Sequence, residues 1–193
     1  VLKPRVEALI AAQRKLAQGL LNSAKKKIRS GDTGPEEGEG GLDLFRAFRA
    51  MPKYRPLIKF MGEQGVKAIV EKTENFYLQE QGKNMPLADA PLYFSIVEKN
   101  RNIDLTEKGA EFLAKGQDDV NFFIMPDITA EMQEIESAEG LSVEEKVKMK
   151  EQILEDFSIK SQRLHATNQL LKAYALFEKD IQYVVMENKV MIV

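Results

Sequence analysis

The sequence contains no cysteine, and this absence excludes disulfides, thiolate nucleophiles and thiolate metal sites. His165 is the only histidine, so a paired-histidine metal site is excluded as well. It lies in an amphipathic pattern, where a hydrogen-bonded structural role is the usual outcome. No apolar run approaches the roughly 18 residues that a membrane-spanning helix needs, and no basic-then-apolar signal pattern opens the chain. We therefore expect a chain that does not itself cross a membrane.

The charge of the chain is nearly balanced. Its 28 Lys and Arg residues against 30 Asp and Glu residues give a formal net charge of −2, and 44% of the 193 residues are hydrophobic. These values are typical of a folded soluble protein of one domain and argue against a general affinity for nucleic acid. The basic run from Lys25 to Arg29 could contact nucleic acid or membrane, but we favour a solvated helix end, because cations oppose the dipole there.

The sequence contains no recognisable catalytic motif. Residues 31–41 contain five glycines, but a phosphate-binding loop needs Lys and then Ser or Thr after its last glycine, whereas Leu42 and Asp43 follow here. No Gly-x-Ser-x-Gly pattern occurs. We interpret the acids at Asp118, Asp119 and 134–139 as solvated side chains. The sequence thus predicts no enzyme activity, metal or cofactor for this chain.

Hydrophobic periodicity predicts a mainly helical first half. Apolar residues recur at spacings of three and four from Val6 to Ile28, which predicts an amphipathic helix that Gly31 ends. The acidic, glycine-rich segment 31–41 is predicted to be a flexible loop with nothing to bury. Residues 41–90 are predicted to be a helical insertion. Within it we expect a short helix before Pro52, a helical region from Pro56 that Gly62 and Gly65 bend or split, and a loop over 82–91.

Two hairpins are predicted in the second half. β-Branched and aromatic residues over 93–98 and 102–105 flank a short turn, and residues 181–186 and 189–193 flank Glu187 and Asn188. Between them we expect helices that begin at Thr106, at Asp127 and at the capping box of Ser142, and a last helix that carries Leu164, Leu171, Tyr174 and Phe177.

The predicted fold class is mainly α with short β-hairpins. Its core is expected to resemble a helical bundle, flanked by two antiparallel hairpins that project from it. Because a helix followed by a hairpin occurs twice, with Tyr93 and Tyr183 at comparable places, we hold an internal duplication as a hypothesis. The chain begins without Met and ends inside the apolar alternation at Val193, so we expect it to be a fragment of a longer protein.

Two blocks of sequence carry a resemblance to a known family. The first is the stretch Phe94 to Gly109, Phe-Ser-Ile-Val-Glu-Lys-Asn-Arg-Asn-Ile-Asp-Leu-Thr-Glu-Lys-Gly, and the second runs from Asn168 to Val193. Both, in the same order, resemble the preprotein cross-linking domain of the SecA family of bacterial secretion ATPases. The segment 41–90 is longer than its counterpart in that family, which suggests a lineage-specific insertion.

The resemblance implies a function. It implies a clamp, a domain over residues 1–193 that grips unfolded preprotein or signal peptide while the rest of the motor drives export through the SecYEG channel. ATP and magnesium would bind elsewhere in that motor, and this chain would bind neither. The implied partners are preprotein, SecYEG and other domains of the motor, without nucleic acid and with only peripheral membrane contact. The implied location is the cytoplasm, at the cytoplasmic face of the inner membrane.

We expect the substrate to bind at the second hairpin. Unfolded chains share backbone N–H and C=O groups, and an open strand edge can bind these groups in any sequence. The predicted substrate-binding residues are Tyr183, Val185, Lys189, Val190, Met191, Ile192 and Val193.

Two alternatives remain open. The chain could act as a structural hinge without contact to substrate. Alternatively, the region from Leu44 to Tyr77 could be a docking site for a ribosome, a chaperone or a channel subunit. An exposed apolar face there would favour this alternative, whereas full burial of Phe45, Phe48, Phe60 and Ile69 would make the region added core.

Overall fold

The computed structural model describes residues 2–116, 122–177 and 179–193. Its described part is mainly helical with two antiparallel hairpins, and this confirms the predicted fold class. None of the helices in these ranges is both long and apolar enough to cross a membrane. In chain order the elements are α1 (Leu2–Arg29), α2 (Gly40–Ala50), α3 (Arg55–Met61), α4 (Val66–Gly82), α5 (Met85–Asp89), β1 (Phe94–Val97), β2 (Asn102–Leu105), α6 (Glu107–Ala114), α7 (Ile128–Ser137), α8 (Val143–Leu176), β3 (Tyr183–Met186) and β4 (Lys189–Ile192).

The long helix α1 supports two large hydrophobic clusters, and Ala17 near its middle forms a small third cluster with Ala50 and Leu92. Its C-terminal half contributes Leu21 and Ala24 to a cluster completed by α2, α3, α4 and α5. Its N-terminal half contributes Val6 and Leu9 to a second cluster, completed by the first hairpin, α6 and the end of α8. One stripe of apolar side chains therefore serves both cores, because it runs the whole length of the helix.

The segment 31–41 does bury residues, so the expectation that it has nothing to bury is wrong at its end. Gly40 and Gly41 are buried and form the first turn of α2. A Cβ atom at Gly40 would collide with the carbonyl oxygen of Asp32, and one at Gly41 with that of Gly34. Glycine is therefore required where α2 begins, since the backbone of the preceding loop lies directly against it.

Buried arginines tie this segment to α2 and α5. The guanidinium of Arg46 is almost fully buried, and it donates two hydrogen bonds of 2.8 Å to the carboxylate of Glu37. It also donates to the backbone carbonyl groups of Leu87 and Ala88. Arg49 makes a similar two-bond contact with Asp89, at 2.6 and 2.7 Å. Such charge-assisted pairs orient the elements they join, because both bonds must align at once.

The region 41–90 contains one helix that the sequence prediction placed in a loop, and most of its large apolar side chains are buried or half-buried. Residues 85–89 form α5, with Pro86 in its first turn, rather than a loop. Phe45 and Phe60 are buried, and Phe48 and Ile69 pack against the same cluster. These side chains contribute to a core, which counts against docking through them, while Ile58 and Phe76 remain exposed.

The first hairpin lies in the core instead of projecting from it, so that part of the prediction is wrong. β1 and β2 pair antiparallel with Phe94 opposite Leu105, and Phe94, Ile96 and Ile103 are buried. Thr106 caps α6 by accepting a hydrogen bond from the Gly109 N–H, as predicted. A Cβ at Gly109 would strike the carbonyl oxygen of Tyr93, so α6 can pack this closely only with glycine at that position.

α8 is one continuous helix, so the prediction of two separate helices over this stretch is wrong. Its 34 residues contain neither glycine nor proline, and the predicted capping box at Ser142 is present. The two ends of α8 pack against different partners. The helix packs against α7 nearer its beginning and against the second cluster at its end, so its apolar residues do not follow one face throughout. Thr167, Leu171 and Leu176 are buried at that end.

A buried glutamine joins three elements between the clusters. Gln13 of α1 is fully buried, and its Nε2 donates to the carbonyl oxygens of Ala50, at the end of α2, and of Phe94 in β1. Its Oε1 accepts a hydrogen bond of 3.0 Å from the Tyr93 N–H. One amide group therefore satisfies three backbone groups that are not bonded within their own helix or ladder.

Replacing this amide should destabilise the fold. Gln13→Leu keeps a similar volume but leaves buried backbone groups without partners, and we expect a loss of about 3 kcal/mol in the free energy of unfolding. Urea denaturation followed by circular dichroism measures it. The control is Gln18→Leu on the exposed face of the same helix, which should change stability by less than about 0.5 kcal/mol. Equal effects of the two variants would contradict the assigned role of Gln13.

The Glu37 to Arg46 contact should make stability depend on pH. The hydrogen bond from Arg46 lowers the pKa of Glu37 below its usual value, despite a smaller opposing effect of burial. A lowered folded-state pKa means that the contribution is present above the unfolded-state pKa and is lost as the pH falls through the folded-state pKa.

We therefore expect Glu37→Gln to be less stable than the unmodified chain at neutral pH. The difference should shrink below about pH 4.5 as Glu37 is protonated. Urea denaturation across this range measures it, with Glu36→Gln as the exposed neighbouring control. A difference that stays constant as the pH falls would refute the assignment.

Candidate functional site

The exposed second hairpin follows directly on α8. We call β3, β4 and their turn, residues 183–192, the C-terminal hairpin. Leu176 is buried at the end of α8, and Lys53 donates a hydrogen bond of 3.2 Å to its carbonyl oxygen. The chain then reverses at Asp180, whose φ is 69°. None of the three buried clusters includes a residue of the C-terminal hairpin, so within the described ranges the hairpin stands outside the core.

A two-residue turn sets the register of the hairpin. Glu187 and Asn188 have φ values of 52° and 62°, which is the backbone of a type I′ turn. This turn matches the natural twist of paired strands, and Asn tolerates the left-handed conformation. The resulting register places Tyr183 opposite Ile192 and Val185 opposite Val190. The predicted second hairpin and its turn are therefore confirmed.

The register determines which backbone groups point outward from β4. The Val193 N–H donates to the carbonyl oxygen of Gln182 at 3.0 Å. Since inter-strand bonds alternate in an antiparallel pair, the N–H groups of Lys189 and Met191 face β3, and those of Val190 and Ile192 face away. β4 thus presents two outward donors, and carbonyl groups at the same residues, along one edge.

The outer edge of β3 is partly occupied. The Tyr183 carbonyl faces away from β4, and it accepts a hydrogen bond of 2.7 Å from the Asp180 N–H. Lys179 also forms an isolated bridge with Tyr183. The chain leading into the hairpin therefore covers the start of this edge, and the edge of β4 is the more open of the two.

Both faces of the C-terminal hairpin are apolar. One face carries Tyr183, Val185, Val190 and Ile192, because residues two apart share a face and paired residues lie side by side. The opposite face carries Val184, Met186 and Met191, together with Lys189. Val190 is 67% exposed and Ile192 is 85% exposed, which is unusual for such side chains.

The structure brings the predicted substrate-binding residues together on this hairpin. Tyr183 is half-buried, whereas Val185, Lys189, Val190, Met191, Ile192 and Val193 are exposed. They do not share one face, since Lys189 and Met191 lie on the side opposite Val190 and Ile192. Lys189, Val190, Met191 and Ile192 belong to β4, whereas Tyr183 and Val185 lie on β3 beside them, so the set follows a paired strand and not a pocket.

Sequence reasoning missed three residues of this site. Val184 and Met186 complete the second apolar face, and the register derived from the turn could have identified them. Asp180 covers the β3 edge through its left-handed backbone. Nothing in its sequence context signals this role, beyond the general tolerance of Asp for that conformation.

The titratable residues that the sequence suggested as candidates for metal binding or catalysis do not form a site in the described part of the chain. Across the described residues no group of three or more His, Asp or Glu side chains could hold a metal ion. His165 is exposed on α8, and Asp118 and Asp119 lie outside the described residues. A hydrogen bond of 2.7 Å from Lys150 lowers the pKa of Glu136, so an ion pair accounts for this perturbed acid.

Comparison with known proteins found matches that include this hairpin. The family model of the SecA preprotein cross-linking domain matches residues 66–193, which include both hairpins. The protein translocase subunit SecA of Flavobacterium psychrophilum is 50% identical over 192 residues. The same subunit of Christiangramia forsetii is 49% identical over 192 residues, and that of Porphyromonas gingivalis 49% over 190. No solved structure matches the chain.

The matches with the relatives extend beyond that of the family model. They cover 98 to 100% of this chain, so they include α1, α2 and α3 as well. The chain spans only 17% of the length of each of these relatives. Because the family model covers well over half of the residues, including the hairpin described above, the chain belongs to the SecA preprotein cross-linking domain family.

Proposed function

We propose that this chain is the substrate-binding clamp of a protein-translocation motor and that it grips unfolded preprotein at the outer edge of β4. The observation that carries the proposal is the open edge at Val190 and Ile192, with apolar side chains on both faces of the hairpin. An extended peptide can add to such an edge through backbone hydrogen bonds. This mode suits a protein that must accept many sequences, because backbone groups are common to all of them.

The side chains around the edge add affinity without strict specificity. Met186 and Met191 are both more than half exposed, and flexible thioethers adapt to apolar groups of different shape. Two unpartnered strands are also only marginally stable in water. An added third strand would therefore stabilise the hairpin while it holds the substrate.

The wider setting is part of the same proposal. The relatives are protein translocase subunits several times longer than this chain. We infer that ATP and magnesium bind elsewhere in such a motor, and that the captured segment passes to the SecYEG channel. The motor would work in the cytoplasm, against the cytoplasmic face of the inner membrane. A hinge that never touches substrate is the competing function.

Two proline variants test the edge. Val190→Pro removes an outward N–H of β4, and Val185→Pro removes the corresponding N–H of β3, directly across the pair. Neither should break the ladder, because proline is tolerated where the N–H faces outward. We expect Val190→Pro to weaken capture of peptide about tenfold and Val185→Pro to weaken it less, because only the first removes a donor from the edge of β4.

The measurement is fluorescence anisotropy of a labelled, unfolded secretory preprotein segment titrated with the chain. Val190→Thr keeps both the N–H and the β-branched shape, so it should bind much like the unmodified chain. Circular dichroism verifies that each variant is folded. If folded Val190→Pro binds the peptide with unchanged affinity, the hypothesis of binding at the β4 edge is wrong. If the unmodified chain is folded but binds no peptide, the hinge function is favoured.

A further inference from the structure

A basic pocket lies far along the chain from the C-terminal hairpin. It is a cavity of about 550 Å³ between the end of α1 and α3. The basic pocket is lined by Lys25, Arg29, Arg55, Pro56, Lys59 and Phe60, with Glu63 at its margin. It contrasts with the chain as a whole, whose net charge is −2.

Four cations converge on this pocket from two helices. Lys25 and Arg29 lie four residues apart on α1, and Arg55 and Lys59 lie four residues apart on α3, so each pair shares one helix face. The buried ring of Phe60 forms the floor, with the charged groups of Lys25 and Arg29 5.7 and 5.9 Å from its centroid. Like charges at this spacing repel each other, so the arrangement costs stability unless an anion offsets it.

The protein itself supplies little compensating negative charge. Arg29 and Glu63 form an exposed contact of 3.6 Å, which is long for an ion pair. Within the described ranges, no ion pair joins Lys25, Arg55 or Lys59 to a carboxylate. With four cations and one acid, the pocket carries a formal charge of +3.

Helix stability explains only some of these cations. Arg29 lies in the last turn of α1, where a positive charge is favourable. Arg55 is the first residue of α3, where a positive charge opposes the helix dipole, and no acidic residue balances it in that turn. The helix dipole therefore accounts for Arg29 but not for Arg55, which an anion in the pocket would stabilise.

We propose that the basic pocket binds a phosphate group, presented either by a small soluble phosphate or by a phospholipid headgroup. Two arginines can bind phosphate oxygens through paired N–H donors, and two lysines add point charges around the same centre. The concave shape suits a compact multivalent anion. This site is independent of the proposed clamp, since it lies on α1 and α3, outside the residues 66–193 that the family model matches.

Isothermal titration calorimetry with inorganic pyrophosphate tests the pocket on the full chain. The pocket variant is Arg55→Gln with Lys59→Gln. The matched control is Lys99→Gln with Arg101→Gln, which removes the same two charges from the exposed turn of the first hairpin. We expect saturable binding at low salt that the pocket variant weakens at least about tenfold and the control less than about twofold.

A second arm identifies the source of the phosphate. Cosedimentation uses phosphatidylcholine vesicles with phosphatidylglycerol added to about a third of the lipid. A loss of vesicle binding in the pocket variant alone assigns a headgroup, whereas pyrophosphate binding without vesicle binding assigns a soluble phosphate. The proposal is overturned if neither probe binds, or if both variants lose binding equally, because the effect would then be one of general charge.

Discussion

The buried amide of Gln13 is the contact on which the arrangement of the two hydrophobic clusters depends. It fixes the middle of α1 against the end of α2 and the beginning of β1. The clusters on either side need only apolar contact, which is not directional and would tolerate small rotations of α1. The three hydrogen bonds do not tolerate them, because each requires a defined distance and angle. The amide thus sets the rotation of α1, and with it the faces that meet α2 and the first hairpin.

The two hairpins have similar local patterns, but one is buried in a core and the other is exposed. Each is a pair of four-residue strands joined by a tight turn. The first is covered by α1, α6 and the end of α8, and its apolar residues complete a core. The second contributes no residue to the three clusters, and most of its apolar residues remain exposed. Exposed apolar strands with an open edge favour association, which is why we assign binding to the second hairpin and structure to the first.

Elements with local signals could be predicted from the sequence, and those set by distant contacts could not. Thr106, Ser142 and the pair Glu187 and Asn188 act through neighbouring backbone, so capping and turn rules find them. The burial of Gly40 and Gly41 leaves no hydrophobic pattern, and a buried Gln13 looks like any polar residue of an exposed helix face. The position of the candidate site followed from the alternation at residues 183–193, but its usable edge depended on Asp180, which carries no comparable signal.

The continuity of α8 makes it a lever. The part from Leu171, in the buried end, to Val143 is about 42 Å long, and near its far end Lys146 and Lys150 donate hydrogen bonds to Glu136 of α7. The C-terminal hairpin is attached just beyond the buried end, so that end is the pivot for both. A rotation of about 10° at this end would displace Val143 by roughly 7 Å while moving the hairpin much less. A small change of angle where α8 meets the core would thus become a much larger displacement at the other end of the helix.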